Sequence, residues 1–295
     1  MPTRAIPLLP GYEVLERIGR GAGAVISLAR DLAGGRLVAI KHIVRQTPED
    51  ERFIAQAENE YEVAKQFEHP CLRRCYEIVR DRRWLKIRQL FLVMEYVNGE
   101  RLEDHHPREI VRIISIFKQV AEGLHALHQS GYAHADTKPN NILLTADGGL
   151  KIIDFGQSCP LGHVKERIQG TPDFMAPEQV LRKAIDQRTD VFNLGATMYR
   201  VVTGKWFRTM MPLAPAAAKK IAIDSERKND PPHELNPIIP VPLSRLIMQC
   251  CETAKEHRPR DMREVLSRLE MVEHLLERAQ HPKRGRRPRG SGHTG

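Results

Sequence analysis

The sequence predicts an α+β fold of two unequal lobes, a small antiparallel sheet carrying one helix and then a larger, mainly helical lobe. Three observations lead there. Short β-prone stretches punctuated by glycine turns fill the first third of the chain, a helical apolar stripe dominates beyond Gly99, and no segment repeats. With 295 residues, 41% of them hydrophobic, the chain has the size of about two domains or one bilobal unit and enough apolar mass for an ordinary core.

Residues 1–11 read as an N-terminal extension. Val14 to Ile18, Ala24 to Ala29 and Leu37 to Lys41 read as strands, because aliphatic and β-branched residues lie between turns at Gly21, Gly23 and Gly34-Gly35. Sequential strands joined by such short turns pair antiparallel. Pro48 to Phe67 predicts a helix: proline and three acids occupy its start, and Phe53, Ala57, Tyr61 and Ala64 recur at helical spacing. Leu90 to Met94 is an unbroken apolar run, as expected of a strand buried on both faces. It closes a first lobe over 12–96, and a second lobe spans 99–275. The longest helix of that lobe is marked by Ile110, Ile113, Ile114, Phe117, Val120, Ala121, Leu124 and Leu127 and stops at Gly131. Further helices are expected over Val191 to Val202 and Met262 to Ala279. Residues 205–242, with seven prolines, read as loops around one short helix near Ala216 to Ile223.

The longest apolar run, five residues, falls far short of the ~18 that a membrane-spanning helix needs. Prolines interrupt the amino terminus where a signal peptide would be apolar. A cytoplasmic chain without membrane contact is expected. Cys71, Cys75, Cys159, Cys250 and Cys251 are odd in number and lack metal-ligand spacing, so they read as free thiols in a reducing compartment. The net charge is +9, but 282–295 holds five Lys or Arg and no acid, and the rest carries only +4. That tail is rich in Gly and Pro and reads as a disordered, solvated basic segment; specific nucleic-acid binding is not expected.

The stretch from Ile18 to Ile26, with Gly19, Gly21 and Gly23, lies between two strands rather than between a strand and a helix, which excludes the dinucleotide fingerprint of a βαβ unit. A glycine hairpin can lay its backbone N–H groups over phosphates because no Cβ holds them off, although a plain tight hairpin reads the same way. Lys41, 22 residues after Gly19, ends the apolar run Val38-Ala39-Ile40 and would aim its ammonium beneath that hairpin. His134 to Asn141 follows the long helix, and Asp154-Phe155-Gly156 follows a strand over Leu150 to Ile153. Asn141 and Asp154 offer the oxygen donors that Mg²⁺ takes, and Asp136 is a second acid free to receive a proton. Asp136 and Asp154 are 18 residues apart, about the length of a short hairpin that brings them side by side. Any one of these motifs reads equally as turn chemistry; all of them in this order do not.

Together they resemble the eukaryotic-type (Hanks-type) serine/threonine protein kinase family over residues 12–275. The resemblance implies a bilobal kinase fold and transfer of the ATP γ-phosphoryl to Ser/Thr hydroxyls of proteins, with Mg²⁺ or Mn²⁺. It implies that Gly19 and Gly21 cover the phosphates, with Ala24 where a third glycine usually stands, and that Lys41 holds the α- and β-phosphates with Glu60 as its helix partner. Ile26 and Ala39 join the ATP-binding set, Met94 limits the depth of the adenine pocket, and the backbone of Glu95 and Val97 hydrogen-bonds the adenine edge. Asp136 is then the catalytic base, Lys138 neutralises the transferring phosphoryl, and Asn141 and Asp154 ligate the metal. Lys138, two positions after the base, is the serine/threonine version. The segment Gly170 to Glu178 is expected to end the activation segment and dock substrate, with Thr171 bonding near Asp136 and Lys138. Glu178 is expected to pair with Arg258, and Asp190 to brace the catalytic loop.

Two departures stand out. Ala135 replaces the arginine that binds a phosphorylated activation loop in regulated members, and Ser158 is the only hydroxyl between Gln157 and Gly170. Ordering by Arg–phosphate pairing is therefore not expected. Ala24 predicts a stiffer phosphate cover. These alanines also motivate an alternative, a nucleotide-binding pseudokinase or scaffold, although Lys41, Glu60, Asp136, Asn141 and Asp154 are all present. A small-molecule phosphotransferase is disfavoured by Lys138 and by 170–178. His125-x-x-His128 lacks a third ligand and reads as surface or core histidines. Glu100 and Arg101 are both candidates to reach the ribose.

Overall fold

A computed structural model of the chain describes residues 9–21, 23–84, 86–210 and 229–280. Residues 1–8, the helix expected near Ala216 to Ile223 and the basic tail 282–295 lie outside the described residues. The first lobe is a five-stranded antiparallel sheet of β1 (Tyr12–Gly21), β2 (Ala24–Asp31), β3 (Leu37–Val44), β4 (Cys75–Arg83) and β5 (Lys86–Glu95), in spatial order β1-β2-β3-β5-β4. Strand β4 escaped the sequence reading. Its residues, CYEIVRDRR, carry charges where alternation would be apolar, which suits a strand at the sheet edge.

The expected helix divides into a 3₁₀ turn at Pro48–Asp50 and helix α1 (Glu51–Ala64). The turn is held by the Asp50 carboxylate, which accepts from the Gln46 and Thr47 amides at 2.9 and 2.8 Å. Helix α1 lays Ile54 and Ala57 on one face of the sheet, against Ala24, Ala39, Ile43, Leu90, Leu92 and Met94. Leu9, Ala29, Val38, Ile40, Phe91 and Val93 cluster on the other face. Strands β3 and β5 are thus covered on both sides, which is why the run from Leu90 to Met94 is unbroken.

The second lobe begins with β6 (Gly99–Arg101), α2 (Leu102–His105) and α3 (Ile110–Gln129), and continues through β7 (Tyr132–Ala133), the hairpin β8 (Ile142–Thr145) and β9 (Leu150–Ile152), and β10 (Cys159–Pro160). Then come α4 (Pro177–Val180), α5 (Gln187–Thr203), α6 (Pro232–Leu235), α7 (Val241–Cys250) and α8 (Met262–Gln280). The apolar stripe of α3 is buried from Ile113 to Leu127 in the main core, and the helix stops just before Gly131, whose φ of +85° a residue with a Cβ would resist. Helix α7 was not anticipated. Pro240 and Pro242 flank its start, a position that tolerates proline because the first N–H groups of a helix have no partner anyway. All five cysteines are free, four of them buried.

The main core also joins the lobes. Val63 and Ala64 of α1 and Cys71 and Leu72 beyond it pack with Ile152 and Phe155 of the second lobe. Leu72 bridges to Ile152, whose amide donates to the Cys71 carbonyl at 2.7 Å. The segment that leads from α1 to β4 is therefore fastened to the strand that leads to Asp154.

Candidate active site

On the sheet side, register decides which side chains meet. Ala39 lies opposite Met94, and Lys41 opposite both Ile26 and Leu92, so Ala39 and Lys41, two residues apart, share the face that looks toward α1. The Lys41 ammonium donates to Glu60 Oε2 at 2.7 Å and lies 4.0 Å from Asp154 Oδ1. Burial alone would lower the pKa of that ammonium, but the Glu60 carboxylate and then Asp154 outweigh it and raise it. Glu60 is fully buried, and its other oxygen accepts from Arg73 Nη2 at 2.6 Å. Arg73 was invisible in the sequence, because nothing in its spacing marks a cation that acts across the fold.

Gly19 and Gly21 lie opposite Ile26 and Ala24 at the sheet's end. A Cβ on either would meet only ordinary contacts, at 3.7 Å or more, so the protein's own packing does not demand glycine there. Gly23 is different: its φ is +68°, and a Cβ would collide with the Phe53 ring of α1. The hairpin turn rests on that ring. Met94 is fully buried at the end of β5. The Glu95 amide donates to the Arg74 carbonyl at 2.9 Å, and Val97 follows half-exposed in the link to β6. The Glu95 carboxylate pairs with Lys151 at 2.9 Å and so ties that link to the second lobe. Glu100 is engaged by His105 at 2.9 Å.

Residues 134–141 form the loop between β7 and β8, and the hairpin β8–β9 returns the chain to Asp154. Asp136 Oδ1 accepts from the amide and hydroxyl of Thr171 at 2.9 and 2.8 Å, while Oδ2 accepts from Lys138 Nζ at 2.7 Å. Lys138 also donates to the Thr171 hydroxyl at 2.6 Å. Asn141 Nδ2 donates to the Asp136 carbonyl at 2.9 Å, which leaves its Oδ1 for other work. The Asn141 carbonyl accepts from the Ile153 amide at 2.9 Å, so Asn141 and Asp154 arrive together.

Below the loop, the buried Asp190 carboxylate accepts from the His134 and Ala135 amides at 2.8 and 2.7 Å and from His128 Nε2 at 2.8 Å. Burial pushes its pKa up, but these donors, His128 first, bring it below the usual range. His128 is thus a core histidine, one of the two readings, surface or core, that the sequence left open. Arg258 forks onto Glu178 at 2.8 and 2.9 Å, again as expected.

Asp154 has φ +67° and a half-exposed side chain. Its surroundings push the carboxyl pKa up, but Lys41, then Arg73, Lys138 and His134, hold it below the usual range, so it is ionised at neutral pH. Phe155 behind it is buried between Phe67 and His134, with ring centroids 5.1 and 5.5 Å away. Asn59 of α1, which sequence reasoning missed, donates to the Ser158 carbonyl at 2.8 Å and to those of Phe155 and Gly156 at 3.3 Å.

The segment after Asp154 is held from within. Lys165 is buried, with Nζ donating to the Gln157 carbonyl at 2.5 Å, and burial lowers its pKa. Ala135, at φ +59°, packs with Ala133, Cys159, Leu161 and Ile185. Ser158 is buried as well, its hydroxyl donating to the His134 carbonyl at 3.4 Å.

These contacts gather Lys41, Glu60 and Asp154 into one group and Asp136, Lys138, Asn141 and Thr171 into another, and the bond from the Ile153 amide to the Asn141 carbonyl joins the two. For a divalent cation the oxygen donors are Asn141 Oδ1 and the ionised Asp154 carboxylate, whose Oδ1 also accepts from the Gly156 amide at 3.4 Å. Among the described residues no three His, Cys, Asp or Glu side chains form a metal-binding group. Two hard oxygen donors with the remaining positions open fit an ion such as Mg²⁺, which keeps waters and takes phosphate oxygens, better than one held in a closed protein cage.

Compared with known proteins, residues 12–269 match the family described as protein kinase domain. A probable serine/threonine-protein kinase of Clostridium acetobutylicum is 30% identical over 88% of this chain and 40% of its own length. Serine/threonine-protein kinase PknB of Mycobacterium tuberculosis is 30% identical over 66% of this chain and 32% of its own, and PrkC of Bacillus subtilis 27% identical over 84% and 38%. The chain therefore spans about two fifths or less of the length of these curated relatives.

Proposed function

The chain belongs to the eukaryotic-type serine/threonine protein kinase family, and we propose that residues 12–275 transfer the γ-phosphoryl of ATP to Ser or Thr hydroxyls of proteins, with no need for phosphorylation of the activation segment. The observation that carries the reading is the Asp136 carboxylate, bonded to Lys138 and Thr171 at 2.7 to 2.9 Å, in a fold whose facing sheet holds Lys41 on Glu60 beside Asp154.

In this reading Lys41 holds the α- and β-phosphates, and the bare backbone of Gly19 and Gly21 covers them. Ile26, Ala39 and Met94 enclose the adenine, whose edge bonds the backbone of Glu95 and Val97. Bound Mg²⁺ or Mn²⁺, held by Asn141 and Asp154, would supply charge neutralisation at the phosphate oxygens. Asp136 accepts a hydrogen bond from the acceptor hydroxyl, orients its oxygen and takes its proton. Lys138 balances charge on the group in transfer. Thr171 fixes both, so the work is positioning and electrostatics rather than covalent chemistry. Among the described residues no helix is long and apolar enough to cross a membrane.

γ-Labelled ATP and a generic basic acceptor protein test the reading. Label is expected with the wild type and absent with Lys41→Met and with Asp136→Asn; undiminished labelling by Lys41→Met would sink it.

Independence from activation-segment phosphorylation is supported by three features: no guanidinium at Ala135, a buried Ser158, and a Lys165 that closes the segment on Gln157. Phosphatase-treated wild type is expected to keep full activity. Lys165→Met is expected to lower kcat roughly tenfold with the KM for ATP unchanged, and Lys165→Arg to retain most of it. If phosphatase removed the activity and a single phosphosite within 157–170 restored it, the independence would be refuted.

A further inference from the structure

Glu60 has two cations where the roles above use one. Its carboxylate is wholly buried, with Lys41 on Oε2 at 2.7 Å and Arg73 on Oε1 at 2.6 Å. Arg73 is itself 7% exposed, and its Nε has no hydrogen-bond partner. A buried guanidinium with an orphaned donor costs stability that an aliphatic side chain would not, so packing does not account for an arginine here. Its backbone is pinned as well, the amide donating to the Ile152 carbonyl at 3.0 Å, two residues before Asp154. Arg73 thereby connects α1, through Glu60, to the strand that leads to Asp154.

We propose that Arg73 is a positioning residue that keeps α1 docked when the Lys41 ammonium turns to the nucleotide phosphates, so that this half of the site stays assembled whether or not nucleotide is bound. The inference rests on Lys41 as the phosphate-binding residue. With Lys41 as sole partner, each contact the ammonium made with phosphate would weaken its hold on a buried carboxylate, and an uncompensated carboxylate is driven out of the interior. A guanidinium is charged at every relevant pH and keeps one oxygen paired throughout. Asn59 adds neutral hydrogen bonds from α1 to the segment after Asp154, but it cannot neutralise Glu60.

The test compares the wild type, Arg73→Met, Glu60→Gln, their double variant and Lys41→Met by steady-state kinetics and by amide exchange across residues 51–64. Arg73→Met is expected to lower kcat roughly ten- to hundredfold and to speed exchange in α1. The double variant is expected to be no worse than Glu60→Gln, because both changes remove one contact. Lys41→Met is expected to leave α1 exchange at the wild-type level, since Arg73 still holds Glu60, and Arg73→Lys to recover most of kcat, which a packing role would not favour over Met. Wild-type kcat and exchange in Arg73→Met, or a double variant whose loss is the product of the single losses, would overturn the proposal. If Arg73→Met does not fold, Arg73→Gln, which keeps a donor and loses the charge, replaces it under the same criteria. Lys41→Met separates the two failures. Undiminished phosphoryl transfer by that variant refutes the reading of the site, whereas its inactivity beside a normal Arg73→Met refutes only this inference.

Discussion

Asp136→Asn is expected to lower the turnover number by roughly 10²- to 10⁴-fold, the range for losing a positioned proton acceptor. The substitution preserves shape, so the loss reads chemistry and not packing. Asp136 has both oxygens in use, Oδ1 with the amide and hydroxyl of Thr171 and Oδ2 with Lys138. An amide keeps one acceptor and turns an N–H₂ toward a neighbour that is itself a donor, so one contact to Thr171 or Lys138 is lost along with the base. The KM for ATP is expected to stay within about threefold, because no nucleotide contact is removed and only uniform binding changes KM alone. A variant that retained a third of the wild-type kcat would take Asp136 out of the chemistry.

Arg258→Met carries the largest expected loss of stability. Arg258 is 3% exposed and forks onto Glu178, which is 5% exposed. It also caps three carbonyls, those of Glu252, Arg188 and Thr253, at 2.7, 2.9 and 3.1 Å. Methionine fills much of the volume but leaves a buried carboxylate with the Thr189 hydroxyl as its remaining donor. Breaking such a pair from one side costs about 3–5 kcal/mol. For a chain of this size that is on the order of ten degrees in the thermal midpoint. Adding Glu178→Leu, which removes the stranded charge, is expected to return part of the loss. Thermal unfolding of the two variants measures both effects, and a shift under about two degrees in Arg258→Met would show that the pair is not structural.

Much of the fold was legible because its elements carry their own local signals. The stripe of α3 has a 3.6-residue period, the run at Leu90 announces two-sided burial, and the spacing from Asp136 to Asp154 is that of a hairpin. The pairs Lys41–Glu60 and Glu178–Arg258 and the bracing by Asp190 could be placed because motif order implied the fold that brings them together. Strand β4 and helix α7 were missed for opposite reasons. In β4 the charges of an edge strand hid the alternation, and in α7 prolines that admit a helix start looked like loop punctuation. Arg73, Asn59 and Lys165 belong to no motif. Each acts on a group that the chain reaches only after folding, 13, 99 and 8 residues away respectively. Only Lys165 has its partner nearby in sequence, and even there nothing distinguishes a buried ammonium from a solvated one.

The free cysteines described with the fold make this chain a poor target for electrophiles. Burial pushes the Cys71 and Cys159 thiols to about 11 and those of Cys75 and Cys250 to about 12, and it raises Cys251 well beyond its ordinary value. Alkylating and oxidising agents act on the thiolate, which is scarce at neutral pH under those conditions. Modification of the four buried thiols must therefore wait for the chain to open, and the rate of their capture becomes a clock for unfolding.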